Sequence, residues 1–530
     1  MIFSGLVSSF ILSLVLNLAP SKSGRDEFSF GNEAEPESID PHVATGVPDN
    51  NIITQLFEGL VRRQANWSSI EPGLAEFLPV ATDNGKTYRF KLRMNALWSD
   101  GTAITADDFV YSWLRAMDPK TLGSYSYWLT DHIVGAAEYA KNPSSETAKK
   151  VEIKAIDSRT LEVRLKHPVP YFMQLLAESV FAPVKKQNIE KFGDRWTRPE
   201  NLVVNGAYVL KEWKVNEKIV LEKNPRYWDA RNVKINRAVA LPLSDKQTVM
   251  NLFLQGQLDW SGHNGAPSSV VPYLRGKEHF RNTPSFITYF YRLNTKRAPL
   301  DNIKVRQALA LAIDRKSLVE KITRGGEVVA TALVPPNTGK YVSAKGVVTG
   351  DFAKDLDLAK KLLAEAGFPA GKNFPLLKIQ YDTKEIHQKV AMAIQEMWRR
   401  NLGIKVEAYN QEWKVYLKEQ KAMNFDISRA GWAGDYPDAA TFLELFTSTS
   451  GNNHTGYSNA DYDKDFKASS TEMNPKKRLE LLTKVEARLL QDQPIIPLFY
   501  YSNYGFLRPE VNGFAFNPID RPFIRTISKR

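Results

Sequence analysis

Between Tyr289 and Ala408 two hydrophobic periods take turns, and this constrains the fold more than any other feature of the chain. Tyr289–Leu293, Leu377–Tyr381 and Ile404–Ala408 alternate with a period of two, as strands do. Val305–Ile313, Asp357–Ala366 and Lys384–Leu402 repeat every three to four residues, as helices do. The last of these gathers Ile386, Val390, Ile394, Met397 and Trp398 on one side. Gly367 and Gly403 close two of the helices, because glycine accepts the left-handed conformation of a helix end. The expectation is a mixed α/β fold. A further helix is capped by Asn474, begins with Pro475 and runs to Leu490, and Leu498–Leu507 reads as a late strand.

The front half is richer in hairpins. Glu27–Gly31 alternates as a first strand, and Gly46-Val47-Pro48 is expected to be extended because a residue before proline is pushed out of the helical region. Asn50–Leu60 reads as a short helix. Thr105 caps a helix through Met117, with Asp108 completing a capping box. Hairpins are expected at Val151–Leu165 and Tyr208–Asn224, and a helix at Ser244–Gly256.

At 530 residues the chain exceeds a single core and implies about three or four domains. There is no cysteine, which excludes disulfides, thiol nucleophiles and a lipid-modified N-terminal Cys. The net charge of +12 is spread among 59 acids with no basic block, so a diffusely basic surface is read and nucleic acid is not expected as a partner. Leu6–Ala19 is a largely apolar run followed by Pro20 and small residues. It is short for a membrane span and fits the core of a secretory signal peptide over 1–24. No positive charge precedes Leu6, so an uncleaved anchor is the other reading.

One stretch concentrates recognition chemistry. In Phe425–Asp438 an alternating strand leads into Arg429, Gly431, Trp432, Gly434 and Asp435 within seven residues. A zwitterion such as a short peptide needs a cation, an anion and exposed backbone between them, and glycine lets another backbone approach. The competing reading is an edge strand with Arg429 in a structural ion pair. Catalytic signatures are missing from the sequence. The seven histidines form no His-x-x-x-His, and there is no Gly-x-Ser-x-Gly or Gly-x-Gly-x-x-Gly. No enzyme, cofactor or metal is expected.

Three further blocks carry a resemblance: Trp98-Ser99-Asp100-Gly101-Thr102 with Thr105–Trp113; Asn205-Gly206-Ala207-Tyr208 with Asn224-Pro225 and Tyr227-Trp228-Asp229; and Leu293-Asn294, Pro299-Leu300, Val305-Arg306 with Ala312–Arg315. In this order they resemble the periplasmic oligopeptide-binding proteins, the solute receptors of bacterial ABC peptide importers. The resemblance implies a type II periplasmic-binding-protein fold in its large three-domain variant, with a discontinuous first lobe at 25–57, 185–286 and 504–530. It places an inserted domain at 58–184 and a last lobe at 287–503. It also implies a periplasmic monomer that captures short peptides between closing lobes and hands them to ABC permease subunits.

Carried over residue by residue, the family's amine-binding aspartate falls on Asp435. Its carboxylate-binding positions fall on Arg429, His387 and Gln420, the last an uncharged amide where well-known members have Arg. His387 also sits in a first helical turn, where free N–H groups favour an anion, although an exposed helix residue is the plain alternative. Backbone-pairing positions fall on Val47, Gly431 and Ala433, and pocket-lining positions on Trp413, Trp432 and Tyr125, with Tyr127 possible in its place. A disulfide of some members falls on Ile287 and Ala433. A receptor specialised for a murein tripeptide or a dipeptide is the alternative function, and a secreted hydrolase on the same fold a more distant one.

Overall fold

The structure, a computed structural model, describes residues 21–530 except Ser268, Asn337, Glu412, Asp435 and Asp520, with backbone only at 385, 413, 414 and 417. The expected signal segment therefore lies outside the described residues as far as residue 20, and so does Asp435. The chain divides into two compact units, one running to Thr283 and resuming at Tyr504–Arg530, the other Pro284–Asn503.

In the first unit, β1 (Glu27–Gly31) leads to α1 (Val47–Leu56), the short pair β2 (Val61–Arg63) and β3 (Ile70–Pro72), and β4 (Thr87–Lys91). Then come α2 (Ala106–Met117), the hairpin β5 (Ile153–Asp157) and β6 (Thr160–Arg164), the hairpin β7 (Tyr208–Lys214) and β8 (Lys218–Lys223), β9 (Arg237–Leu241) and α3 (Lys246–Leu254). One sheet has the order β1-β9-β8-β7, with β1 parallel to β9 from Glu27↔Arg237 to Gly31↔Leu241. A second has the order β4-β6-β5. Phe28, Phe30, Ile52, Leu56, Tyr208 and Trp260 are fully buried in the core of the first sheet. Each such side chain stabilises the fold by about 1.5–3 kcal/mol.

Local rules hold at α2. The Thr105 N–H donates to Asp108 Oδ2 at 2.8 Å, and Phe109, Trp113 and Ala116 face inward with no exposure. They fail by a few residues at α1, which starts at Val47 rather than Asn50. The Asp49 carboxylate accepts N–H bonds from Gly46 (2.9 Å) and Glu37 (2.6 Å), so the turn is capped early. Pro48 sits in that first turn, where a missing N–H costs nothing. The helix ends at Leu56: Phe57 turns extended while its N–H still bonds the Ile53 carbonyl, and Asn205 then holds both the N–H (3.1 Å) and the C=O (2.8 Å) of Glu58, two residues on.

The second unit follows with β10 (Phe280–Leu293, beginning just before it), α4 (Ile303–Leu311), β11 (Val328–Val329), α5 (Phe352–Glu365), β12 (Leu377–Asp382) and α6 (Glu385–Leu402). It continues with β13 (Val406–Gln411), α7 (Trp413–Lys421), β14 (Ile427–Ala433), α8 (Pro475–Asp492) and β15 (Ile495–Phe506). The sheet order is β11-β15-β10-β14-β12-β13. β14 runs antiparallel to β10 and parallel to β12, and β12 is parallel to β13. This is the mixed α/β alternation expected from the sequence. α6 buries Val390, Ile394 and Trp398 against the sheet, and Trp398 Nε1 donates to the Leu309 carbonyl at 2.8 Å. Among the described residues no helix is long and apolar enough to cross a membrane.

Candidate ligand-binding site

β14 is the strand on which the site is built. Its whole length pairs with β10, from Leu293↔Ile427 to Ile287↔Ala433. On its other side the recorded pairing with β12 covers only Ile379↔Ile427 and Gln380↔Ser428. The Gly434 N–H donates to the Phe286 carbonyl at 3.0 Å, and antiparallel bonds alternate from pair to pair. Ala433, Gly431 and Arg429 are therefore the residues whose backbone groups point away from β10. The Arg429 carbonyl is taken by the Tyr416 hydroxyl and by Gln420 Nε2 (2.8 Å). Beyond it, at Gly431 and Ala433, this edge has no strand partner among the described residues. The same register sets Ile287 directly opposite Ala433, the two positions to which the family resemblance assigns a disulfide.

The Arg429 side chain lies on one face of this strand. It is 12% exposed, and Nη2 donates to the Tyr501 hydroxyl at 2.8 Å. Nη1 is 3.4 Å from Asp382 Oδ1, and the guanidinium carbon stands 4.9 Å from the Tyr289 ring centre. Burial works against its charge, but Tyr501, Tyr289, Tyr416 and Asp382 more than offset this and raise its pKa. Arg429 is a permanent cation with donors to spare: Nε has no hydrogen-bond partner among the described residues.

His387 lies beside it, third in α6, and is buried rather than exposed. Its Nε2 is 3.5 Å from Asp382 Oδ1, its ring is 5.5 Å from that of Tyr289, and neither ring nitrogen has a hydrogen bond among the described residues. Burial, Arg429 and Lys384 lower its pKa to about 3. The family resemblance places His387 at a carboxylate-binding position. In the described structure the imidazole is neutral at pH 7 and can offer one N–H. Arg429, that N–H and the start of α6 converge on one spot suited to a carboxylate, partly offset by Asp382.

Gln420 is placed differently. It is buried in α7 and its Nε2 is committed to Tyr416 (2.7 Å), Ser428 (2.7 Å) and the Arg429 carbonyl. Its amide braces β14 from the face opposite the Arg429 side chain. Trp432 is half-buried, with no hydrogen-bond partner for Nε1 among the described residues, and Ala433 is exposed. The Trp413 side chain lies outside the described residues, as Asp435 does. Val47 and Tyr125 belong to the first unit. Val47 is 46% exposed and is the first residue of α1, not an extended residue. Tyr125 is half-buried and stacks on Trp128 at 4.3 Å, with Tyr127 6.2 Å away.

Sequence reasoning missed Asp382, Tyr289 and Tyr501, which set the charge and position of Arg429. Asp382 carried a signal, being an acid at the end of a strand just before a helix start. The two tyrosines read as ordinary strand residues.

The family model of bacterial extracellular solute-binding proteins, family 5 Middle, matches residues 69–454. The chain belongs to this family. Its fold is accordingly the type II periplasmic-binding-protein fold. This solute-binding protein is 39% identical to the periplasmic oligopeptide-binding protein OppA of Salmonella typhimurium over 94% of its own length and 91% of the relative's. It is 37% identical to the periplasmic murein peptide-binding protein MppA of Escherichia coli over 93% and 91%. The solved unliganded open form of the murein tripeptide-binding protein MppA matches with a TM-score of 0.86 and 36% identity, covering 97% of this chain and 98% of that one.

Proposed function

We propose that this family 5 protein is a non-catalytic receptor for short peptides, working outside the cytoplasm as a monomer and delivering its ligand to ABC permease subunits. The observation that carries the reading is the edge of β14. Gly431 and Ala433 turn their backbone groups away from β10, next to a buried arginine with unused donors. An extended peptide can add to such an edge by main-chain hydrogen bonds, a form of β-augmentation.

In this reading Arg429 and His387 receive the ligand carboxylate, Asp435 its amine, and Gly431 and Ala433 its backbone. Val47 is a further backbone-pairing position, Trp432, Trp413 and Tyr125 line the ligand, and Gln420 holds β14 in place. The domain layout is 25–57 with 185–286 and 504–530, then 58–184, then 287–503. Residues 1–24 carry the export signal, with cleavage between Ala19 and Gly24. Ser21 and Ser23 bond the buried Asp259 (2.8 and 2.7 Å), which also meets Lys529 (2.9 Å).

A specialised murein tripeptide or dipeptide receptor is the second reading. It is favoured by the uncharged Gln420 and by the likeness to MppA. Native mass spectrometry of the purified protein separates the two. A ladder of short-peptide masses supports a general receptor, and a single mass a specialised one. An empty protein that also fails to bind tri-alanine or a murein tripeptide contradicts both.

A further inference from the structure

The first unit contains a partly open cavity of about 50 Å³, bounded by the end of α1, by β2, by residues 177–182 and by the C-terminal stretch Arg521–Arg525. Every residue lining it belongs to that unit. One water occupies about 10–15 Å³ of such space, so the cavity suits about four oxygen-sized atoms, as many as a sulfate or phosphate presents.

Four arginines line this cavity, and two of them are fully engaged. Arg62 bonds Glu71 (2.8 Å), Asp229 (3.1 Å) and the Tyr227 hydroxyl (2.8 Å), and stands 3.6 Å from Glu58. Arg63 bonds Glu178 Oε1 through Nε (3.1 Å) and Nη2 (2.5 Å), and the Gln174 carbonyl at 2.9 Å. Glu58 is held in turn by the Tyr227 hydroxyl and by Trp228 Nε1, each at 2.5 Å. The other two arginines are wired differently. Arg525 donates Nη2 to the Arg63 carbonyl at 2.5 Å and has no ion pair among the described residues. Arg521 bonds only through its backbone, to the Asn517 side chain, so its guanidinium has neither a hydrogen bond nor an ion pair among the described residues. The Ser179 hydroxyl, on the same cavity, also makes no hydrogen bond among them. All three side chains are half-buried. Glu178 acts on Arg521 and Glu58 on Arg525, but neither acid comes within ion-pair distance of that arginine. A cation taken partly out of water without a partner is costly, and an anion entering beside it offsets that cost.

We propose that this cavity binds a tetrahedral oxyanion, sulfate or phosphate, held by Arg521, Arg525 and the Ser179 hydroxyl. The site lies on the first unit, whereas β14 lies on the second, and it stands independently of the peptide-receptor reading. A bound anion joins the C-terminal stretch to residues 177–182 and stabilises the folded chain by mass action.

The test is calorimetric titration of the full chain with sodium sulfate, sodium phosphate and sodium acetate at neutral pH and constant ionic strength set by sodium chloride. The expected result is saturable binding of one sulfate or phosphate per chain, with acetate weaker by about tenfold or more. Arg521→Gln and Arg525→Gln should each weaken that binding by about tenfold or more, the loss of a charge-assisted hydrogen bond, and Ser179→Ala by a smaller factor. Glu178→Gln should tighten it, because it removes the carboxylate that competes with the anion. Circular dichroism confirms that each variant folds; Arg521→Lys keeps the charge and should retain part of the affinity, which preserves the test if a glutamine variant unfolds. Absence of saturable sulfate or phosphate binding overturns the site, as do equal affinity for acetate and an affinity unchanged in both arginine variants.

Discussion

Arg429 and Arg478 are both buried cations of the second unit, and they are wired in opposite ways. Arg478 grips Asp438 through Nη1 (2.6 Å) and Nη2 (2.8 Å), and its Nε donates to the Ser469 carbonyl at 3.2 Å. Arg429 has one loose contact with its acid, Asp382, at 3.4 Å, one bond to a tyrosine, and an Nε without a partner among the described residues. A structural arginine uses its planar fork of donors within the fold; a recognition arginine holds some in reserve. Sequence alone allowed Arg429 either part.

The largest effect should separate the two by stability. Arg478→Ala strands the Asp438 carboxylate, of which 15% is exposed, and should cost about 3–5 kcal/mol in urea unfolding. A loss under about 1 kcal/mol would break the comparison from its structural side. Arg429→Met should instead weaken tri-alanine binding by about 2–5 kcal/mol, the usual cost of removing one partner of a buried charge pair. Its unfolding free energy should fall by less than that of Arg478→Ala.

Two glycines sharpen the contrast on the backbone itself. A Cβ at Gly434 would meet the Phe286 ring at 2.1 Å, so Gly434→Ala should cost about 1–3 kcal/mol of stability through overpacking. A Cβ at Gly431 would find ordinary contacts, the nearest at 3.5 Å. Gly431→Ala should leave thermal stability within about 1 kcal/mol of the parent while weakening peptide binding, because the crowding falls on the ligand side.

The smallest effect concerns pH. The His387 pKa lies near 3 when folded, below its ordinary value of 6.5. Between those values the unfolded chain holds the extra proton, so stability rises with pH across the window and is complete above about 6.5. His387→Gln should make the rise shallower. His42, His132 and His454, lowered to about 4, keep the remainder of the slope in that variant. An unchanged slope would place His387 in a more open setting than the one described.

Local rules carried much of the fold. The capping box at Thr105, the Asn474–Pro475 start of α8 and the β7–β8 hairpin follow from neighbouring residues, and the sequence contains all of them. What escaped depends on distant partners. α1 stops at Leu56, and Asn205 holds Glu58, two residues on. β14 reads as a strand, but its place between β10 and β12, which leaves one edge open at Gly431, is set by strands far away in sequence. In the candidate site, the run from Arg429 to Gly434 was picked out by its charge and its two glycines. Asp382 was not, since only folding brings it within 3.4 Å of Arg429, and neither was the internal commitment of Gln420.

The most direct measurement is calorimetric titration of tri-alanine as the free acid and as its C-terminal amide, with the parent protein and with Arg429→Met. A carboxylate held by Arg429 and His387 predicts that the parent favours the acid by tenfold or more and that Arg429→Met binds both alike. Equal affinity of the parent for acid and amide, or a preference that survives in Arg429→Met, would contradict the assignment of this site.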